Sequence, residues 1–250
     1  MIDTADIRQP ETPASSEAKG CSLQQLVPQP FYDADGITIY HGDCRKILPL
    51  LKGVDAIITD PPYGVDWNTD YTRFTSGFDV EKKNHRKVNG DSEPFDPRWL
   101  NGHPTIILWG ANCYCDKLTT GSWLVWDKRH KNGTAFLADA ELAWWNKGHG
   151  VYIYAETSQG CIRNEAIEHP TQKPEGLMRW CIEKAKPKLI CDPYMGSGTT
   201  LRAAKDLGIP CIGIELEEEY CQTAVRRLSQ GVLGLWNERG EAQPPGEPKP

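Results

Sequence analysis

The sequence predicts an α/β fold built on a mostly parallel sheet. Between residues 37 and 229, apolar runs of four or five residues, typical of buried strands, alternate with segments of helical spacing. The chain has 250 residues, of which 39% are hydrophobic, enough for one domain with a substantial core. Strands that alternate with helices favour a parallel sheet covered by helices.

Each element follows from a local pattern. Apolar runs predict strands over residues 37–40, 56–59, 105–109, 123–126, 142–145, 151–154, 188–191 and 211–214. Helical spacing predicts helices over 44–51, 174–186, 199–207 and 217–228. Pro174 suits a first helical turn, and Gly208 suits the end of a helix. The strands over 142–145 and 151–154 are expected to form a hairpin through residues 147–150.

One domain over residues 31–236 is predicted between two flexible tails, 1–30 and 237–250, which are rich in proline. Residues 65–101 interrupt the alternation, because they are rich in Asp, Asn, Gly and Lys and contain only scattered aromatic residues. We interpret them as an inserted loop or a small target-recognition region.

Composition excludes several classes of protein. No run of 18 apolar residues is present, so we expect no membrane span. Met1 to Gly20 has no apolar segment typical of a secretory signal, and the nine cysteines suit reduced thiols, so a cytoplasmic location is predicted. Cys113 and Cys115 have poor zinc spacing, and no metal is predicted. The net charge of −6 argues only weakly against a nucleic-acid partner, because a local basic groove can lie on an acidic protein.

The strand over 56–59 leads directly into Asp60-Pro61-Pro62-Tyr63. Ligands of open parallel sheets bind beyond the carboxyl ends of the strands. Two prolines fix the backbone and remove two amide donors, so the loop presents carbonyl oxygens beside a carboxylate and an aromatic ring. Asp60 and the Pro61 carbonyl could accept hydrogen bonds from both hydrogens of the exocyclic amine of a flat base, while Tyr63 stacks on the ring of that base. The amine lone pair would then point at an electrophile.

A second strand, over 188–191, leads into a glycine-containing turn followed by a helix, an arrangement that suits a nucleotide-like ligand. The candidate cofactor residues in this turn are Asp192, Pro193, Tyr194, Gly196 and Gly198. No lysine follows the last glycine, so the turn is not a triphosphate-binding loop. Glu215, at the end of the next strand, is well placed to accept hydrogen bonds from both hydroxyls of a ribose. Asp43, at a third strand end, could accept a hydrogen bond from the amino group of an adenine. It could equally cap the following helix.

Together these motifs resemble those of the DNA amino-methyltransferases, which methylate N6 of adenine or N4 of cytosine with S-adenosylmethionine. The tetrad precedes the cofactor loop, as in the family's β-type arrangement, and His169-Pro-Thr-Gln-Lys-Pro174 also matches it. The resemblance implies a Rossmann-like S-adenosylmethionine-dependent fold with a seven-stranded sheet and one antiparallel strand. It also implies that Thr171 and Lys173 help to hold the methionine end of the cofactor.

The resemblance further implies double-stranded DNA as the partner and base flipping as the route to the amine. Because β-type relatives are often dimers, it also implies a homodimer. Within this family, Asp rather than Ser at the start of the tetrad favours N6 of adenine as the methylated atom. Candidate phosphate contacts are Lys82, Lys83, Arg86, Lys87, Lys128, Arg129 and Lys131. The alternatives are a cytosine-N4 enzyme, an RNA or protein-glutamine methyltransferase, and a catalytically silent DNA-binding protein on the same scaffold.

Overall fold

The computed structural model describes residues 27–66, 90–129, 138–156 and 172–229. Within these ranges the strands are β1 (Tyr32–Ala34), β2 (Ile37–His41), β3 (Ala56–Thr59), β4 (Thr105–Trp109), β5 (Ser122–Asp127), β6 (Ala140–Trp145), β7 (Val151–Ala155), β8 (Ile190–Asp192) and β9 (Cys211–Glu215). The α-helices are α1 (Cys44–Ile47), α2 (Glu175–Ala185), α3 (Thr199–Asp206) and α4 (Glu218–Ser229).

All the described strands belong to one nine-stranded sheet in the order β1-β2-β9-β8-β3-β4-β6-β5-β7. The five strands from β2 to β4 in this order are mutually parallel, which confirms the predicted α/β class. The predicted seven strands with one antiparallel member are wrong, because both β1 and β6 run antiparallel to their neighbours. The additional strand β1 pairs with β2 across a tight turn, where Asp35 and Gly36 both adopt left-handed backbone angles.

The predicted hairpin between the strands over 142–145 and 151–154 is also wrong. β5 lies between β6 and β7, pairing antiparallel with β6 and parallel with β7. The short connection from β6 to β7 crosses the beginning of β5, where the amide of Trp123 donates to the carbonyl of Gly150 at 2.8 Å. Neighbouring apolar segments in sequence are therefore not neighbours in the sheet.

The sheet has a hydrophobic core on each face. On one face, α2, α3 and α4 contribute residues such as Leu177, Leu201 and Ala224 to a cluster with the sheet. On the other face, α1 packs with residues 95–114. Trp126 and Trp144 are both buried within the protein. Among the described residues, no helix has the length and apolar character needed to span a membrane.

The described end of the predicted insertion is part of the domain core. Phe95 and Leu100 are buried in the second cluster, together with Tyr114. Apolar side chains from residues 95–100 thus cover one face of the sheet, while the interpretation of residues 65–101 as an inserted loop or a small target-recognition region stays a prediction. The two predicted tails lie almost entirely outside the described residues.

Candidate active site

Three parallel strands end at the same edge of the sheet and bring the predicted carboxylates to that edge. Asp60 directly follows β3, Asp192 ends β8, and Glu215 ends β9. β3 and β8 are neighbours, and the hydroxyl of Thr59 donates to Oδ1 of Asp192 at 2.6 Å. The residue that precedes the tetrad is therefore joined to the start of the cofactor loop by a direct buried hydrogen bond.

The carboxylate of Asp60 has a partner on each oxygen. The hydroxyl of Tyr63 donates to Oδ1 at 2.6 Å, and Nζ of Lys173 donates to Oδ2 at 2.6 Å. Nζ of Lys173 also donates to the Tyr63 hydroxyl at 3.1 Å. Burial opposes the charge of Lys173, but the carboxylates of Asp60 and Glu141 outweigh it and raise the pKa of Lys173. Lys173 is therefore a buried ammonium group that bonds the tetrad directly in this structure.

The ring of Tyr63 lies against the backbone of Gly110, one residue beyond β4. Burial, followed by the charge of Asp60, raises the pKa of the Tyr63 hydroxyl well above its usual value, so this hydroxyl remains a donor. The stacking of Tyr63 on a target base stays a prediction, because its ring here packs on protein and its hydroxyl is directed to Asp60.

We expect Gly110→Ala to displace Tyr63 and to disturb its hydrogen bond to Asp60. Gly110 has a φ of +73°, and a β-carbon there would overlap the Tyr63 ring. Gly208→Ala is the matched control, because Gly208 has a similar φ of +67° and nothing within 4 Å of an added β-carbon. Both variants carry backbone strain of about 1 kcal/mol, but only Gly110→Ala should lower the rate of the predicted methyl transfer, by roughly 10-fold or more. Equal rates for the two variants would show that Tyr63 does not depend on Gly110.

Asp91 holds the other end of the tetrad loop. Its Oδ1 accepts hydrogen bonds from the amides of Gly64, at 2.9 Å, and Val65, at 3.4 Å. Asp91 is buried, and no motif in the sequence indicated it. Pro61 is also buried, so a rigid dipeptide and an anchored turn together keep Asp60 at the end of β3.

The predicted cofactor loop forms one wall of a pocket that also contains the tetrad aspartate. The lining includes Asp60, Gln172, Lys173, Met178, Asp192, Tyr194, Met195, Gly196, Ser197, Thr199 and Thr200. Oε2 of Glu215 accepts from the amide of Gly196 at 3.0 Å, while its Oε1 accepts from the amide of Glu217 at 2.9 Å. Pro193 is buried within the loop. The acidic residue at the end of β9 therefore supports the loop directly.

Gly198 allows the loop to enter α3. It caps the helix with a left-handed φ of +81°, and a β-carbon there would lie 2.8 Å from Cβ of Ala224 on α4. Arg227 on α4 donates to the carbonyl of Ser197 at 2.8 Å and pairs with Glu175 at 3.0 Å. Arg227 was not predicted from the sequence, and it ties the cofactor loop to the start of α2.

We expect Asp192→Asn to flatten the pH dependence of stability. Asp192 is 3% exposed, and its burial raises its pKa from 3.8 to about 6 although Thr200 and Thr59 donate to it. An acid with a raised pKa destabilises the folded state above that pKa, and the penalty disappears as the pH falls from about 6 to 4. The variant should therefore gain up to about 3 kcal/mol relative to wild type at pH 8, but not at pH 4. Urea unfolding at both pH values measures this, and equal gains would contradict it.

Other predicted residues have different surroundings. Asp43 caps α1, accepting from the amide of Arg45 at 2.9 Å, so its contact with an adenine stays a prediction. Arg129 is 49% exposed and pairs with Asp127, but the side chain of Lys128 is only 11% exposed. Lys128 is therefore directed into the protein in this structure, which does not favour a phosphate contact. The remaining predicted residues, Thr171, Lys82, Lys83, Arg86, Lys87 and Lys131, lie outside the described residues.

Glu141, at the start of β6, is the main site residue that sequence reasoning missed. Its carboxylate pairs with Lys173 and with Lys128, each at 3.0 Å. Burial raises the pKa of Glu141, but the two ammonium groups outweigh it and lower the pKa to about 2. The predicted strand began at residue 142, and nothing in the local pattern indicated that Glu141 would face the tetrad.

Comparisons with known proteins find methyltransferases among the similar chains. The type II methyltransferase M2.LlaDCHI of Lactococcus lactis subsp. cremoris is 26% identical over 83% of this chain and 94% of that protein. The type II methyltransferase M.HinfI of Haemophilus influenzae is 27% identical over 77% of this chain and 68% of that protein. A solved structure, the cytosine-N4-specific PvuII DNA methyltransferase, shares the fold with a TM-score of 0.58. It is 14% identical and matches over 82% of this chain and 90% of its own.

The family model described as DNA methylase, which covers N6 and N4 enzymes, matches residues 79–226, more than half of the chain. The resemblance predicted from the motifs is therefore confirmed, and this chain belongs to the N6/N4 DNA methylase family.

Proposed function

We propose that this protein transfers a methyl group from S-adenosylmethionine to N6 of adenine in double-stranded DNA. Family membership establishes DNA methylation with S-adenosylmethionine as the methyl donor, and the adenine base and the individual residue roles are what we propose. The observation that carries the proposal is the position of Asp60, whose carboxylate lines the same pocket as the cofactor loop. A methyl acceptor held at Asp60 would lie beside a methyl donor held by that loop.

The chain's own groups suit an exocyclic amine. One oxygen of Asp60 and the carbonyl of Pro61 would accept the two N–H groups, which favours a tetrahedral nitrogen with its lone pair available. A carboxylate has about four acceptor sites, so an incoming amine can bond Asp60 beside Tyr63 or replace Lys173. After the methyl group has been transferred, the nitrogen loses its proton to solvent, so Asp60 need not act as a full general base.

The residues present also suit the cofactor, which supplies an electrophilic methyl group when it is bound. Glu215 would accept from the ribose hydroxyls with the lone pairs not used by the amides of Gly196 and Glu217. Lys173 would help to hold the methionine carboxylate together with Thr171. The buried ammonium of Lys173 lines the pocket and is therefore within the space that the cofactor would occupy.

The DNA would approach the carboxyl edge of the sheet. A base inside a duplex cannot present its amine to the donor, so the target nucleotide would leave the helix and enter beside Pro62 and Tyr63. Arg129, exposed beyond β5, is a proposed phosphate contact, as are the basic residues over 82–87 and at 131. A homodimer and a cytoplasmic location remain predictions.

Nucleoside mass spectrometry tests the proposal. The protein and an Asp60→Ala control are each expressed in a host that lacks DNA methylation, and the digested DNA is analysed. N6-methyladenine in the first sample alone is the expected result. N4-methylcytosine would overturn the choice of base and favour the cytosine alternative. Neither product, together with tight DNA binding and no S-adenosylmethionine binding in calorimetry, would favour a silent scaffold.

A further inference from the structure

Four charged side chains form a continuous row from the edge of β5 to the tetrad. In order they are Lys128, Glu141, Lys173 and Asp60, and we call them the charged row. The successive distances between charged atoms are 3.0, 3.0 and 2.6 Å. Two cations and two anions alternate, so the row has no net charge although it lies largely inside the protein.

The topology of the sheet explains why the row reaches the active site. β6 runs antiparallel to β4, so its first residues lie at the edge where the parallel strands end. Glu141, the second residue of β6, therefore faces the same edge as Asp60, which follows β3. Lys128, just after β5, donates a hydrogen bond to Oε1 of Glu141 and so fixes the direction of this carboxylate.

One carboxylate oxygen of Glu141 can accept a further hydrogen bond from Lys173. Oε2 is buried and accepts no aligned hydrogen bond from the described residues, although Nζ of Lys173 lies 3.0 Å from it. An ammonium group has three N–H donors, and Lys173 directs two of them to Asp60 and Tyr63. The third N–H remains for Oε2, so a small rotation of the ammonium would complete this hydrogen bond, which would keep Lys173 in place when its bond to Asp60 is given up.

We propose that Glu141 is a positioning residue for methyl transfer, which takes over Lys173 when the target amine binds the oxygen of Asp60 that Lys173 otherwise occupies. The inference rests on the proposed function, because it presumes that an amine enters beside Asp60. Without Glu141, Lys173 would have Asp60 as its single carboxylate partner in the row, and the amine would have to compete with that ion pair. Glu141 would thus act on the reaction through Lys173 without touching the substrate.

Glu141→Gln is the decisive variant, because it removes the charge and keeps the shape. We expect the single-turnover methylation rate to fall roughly 10- to 100-fold, as for a misplaced reacting group, while the Kd for S-adenosylmethionine changes much less. Glu141→Asp, which keeps the charge, should recover part of the rate.

The pH profile separates positioning from a purely structural effect. Burial raises the pKa of Asp60, and the charge of Glu141 raises it further, although Lys173 opposes both. The acid limb of the rate should therefore move to lower pH in Glu141→Gln. The titratable and charged groups that interact with this pair are Lys128, Lys173, Tyr63, Tyr114, Cys113 and Asp192.

Asp206→Asn is the matched control. Asp206 ends α3 and its carboxylate also lies between two cations, Arg179 at 3.3 Å and Arg202 at 3.5 Å. It lies at the end of α3 opposite the cofactor loop, so its neutralisation should leave the rate and the acid limb unchanged. If Glu141→Gln does not fold, the double variant Lys128→Met/Glu141→Gln restores charge balance and should show the same loss of rate.

The outcomes are distinct. A loss of rate with a shifted acid limb in Glu141→Gln, but not in Asp206→Asn, supports the inference. An active wild type whose rate and acid limb are unaffected by Glu141→Gln, or by the double variant, overturns the inference alone. A loss of rate with an unmoved acid limb also overturns it, because the residue would then be merely structural. A wild type that methylates no DNA would remove the proposed function and, with it, this inference.

Discussion

Replacing Asp60 by alanine is expected to lower the rate of methyl transfer by about 10³-fold or more, while S-adenosylmethionine still binds. The carboxylate is the charged acceptor proposed to hold the target amine, and losing such a preorganised group costs about 10²- to 10³-fold in other enzymes. Losing the orientation of the amine adds to that cost. The rate is measured in single turnover on duplex DNA, and cofactor affinity by calorimetry.

Two further variants show whether this loss is specific. Asp60→Asn keeps the shape and one acceptor oxygen, so its rate should lie between those of wild type and Asp60→Ala. Asp116→Ala removes a carboxylate from an exposed position and should leave the rate unchanged. Near-normal turnover by Asp60→Ala would remove the tetrad aspartate from the mechanism.

Replacing Lys173 by methionine is expected to destabilise the protein by about 3–5 kcal/mol at neutral pH, because a buried ion pair loses one partner. Lys173 is 5% exposed and lies between two carboxylates, those of Asp60 and Glu141, at 2.6 and 3.0 Å. Without it, two mostly buried anions would face each other. Methylation should fall as well, since Lys173 lines the pocket and is proposed to help hold the methionine carboxylate of the cofactor.

The loss of stability should depend on pH in a defined direction. The carboxylates raise the pKa of Lys173, so its stabilising contribution is fully present at and below neutral pH and is lost only at strongly alkaline pH. In Lys173→Met the pKa values of the two carboxylates should rise, and their protonation at acid pH should relieve part of the repulsion. Urea unfolding at pH 7.5 and pH 5 should therefore show the smaller difference from wild type at pH 5.

Lys205→Met is a suitable control for this comparison. Lys205 pairs with Asp35 at 2.8 Å, but the side chain of Asp35 is 64% exposed, and such surface pairs contribute at most about 1 kcal/mol. If Lys173→Met were no more destabilising than Lys205→Met, the charged row would not contribute to the free energy of unfolding as the structure indicates.

Much of the fold and of the candidate site could be predicted from the sequence, because the signals were local. The strands over 56–59 and 105–109 have the predicted bounds, since runs of apolar residues mark strands that are buried on both faces. Asp60, Asp192 and Glu215 come together because each follows or ends a strand of one parallel sheet. The placement of these carboxylates needs only the rule that parallel strands end at one edge.

The tertiary structure decided what depends on strand order and on contacts between distant residues. Periodicity reveals which face of a strand is buried, but not which strand lies beside it, and the hairpin predicted from 142–154 was therefore wrong. Glu141 lies beside Lys173 only because β6 runs antiparallel, and Asp91 reaches the tetrad loop across 27 residues of sequence. The sequence by itself thus determined which carboxylates lie at the strand ends. The partners that hold and neutralise those groups were decided by packing, since charges and hydrogen bonds act across space, whatever the separation along the chain.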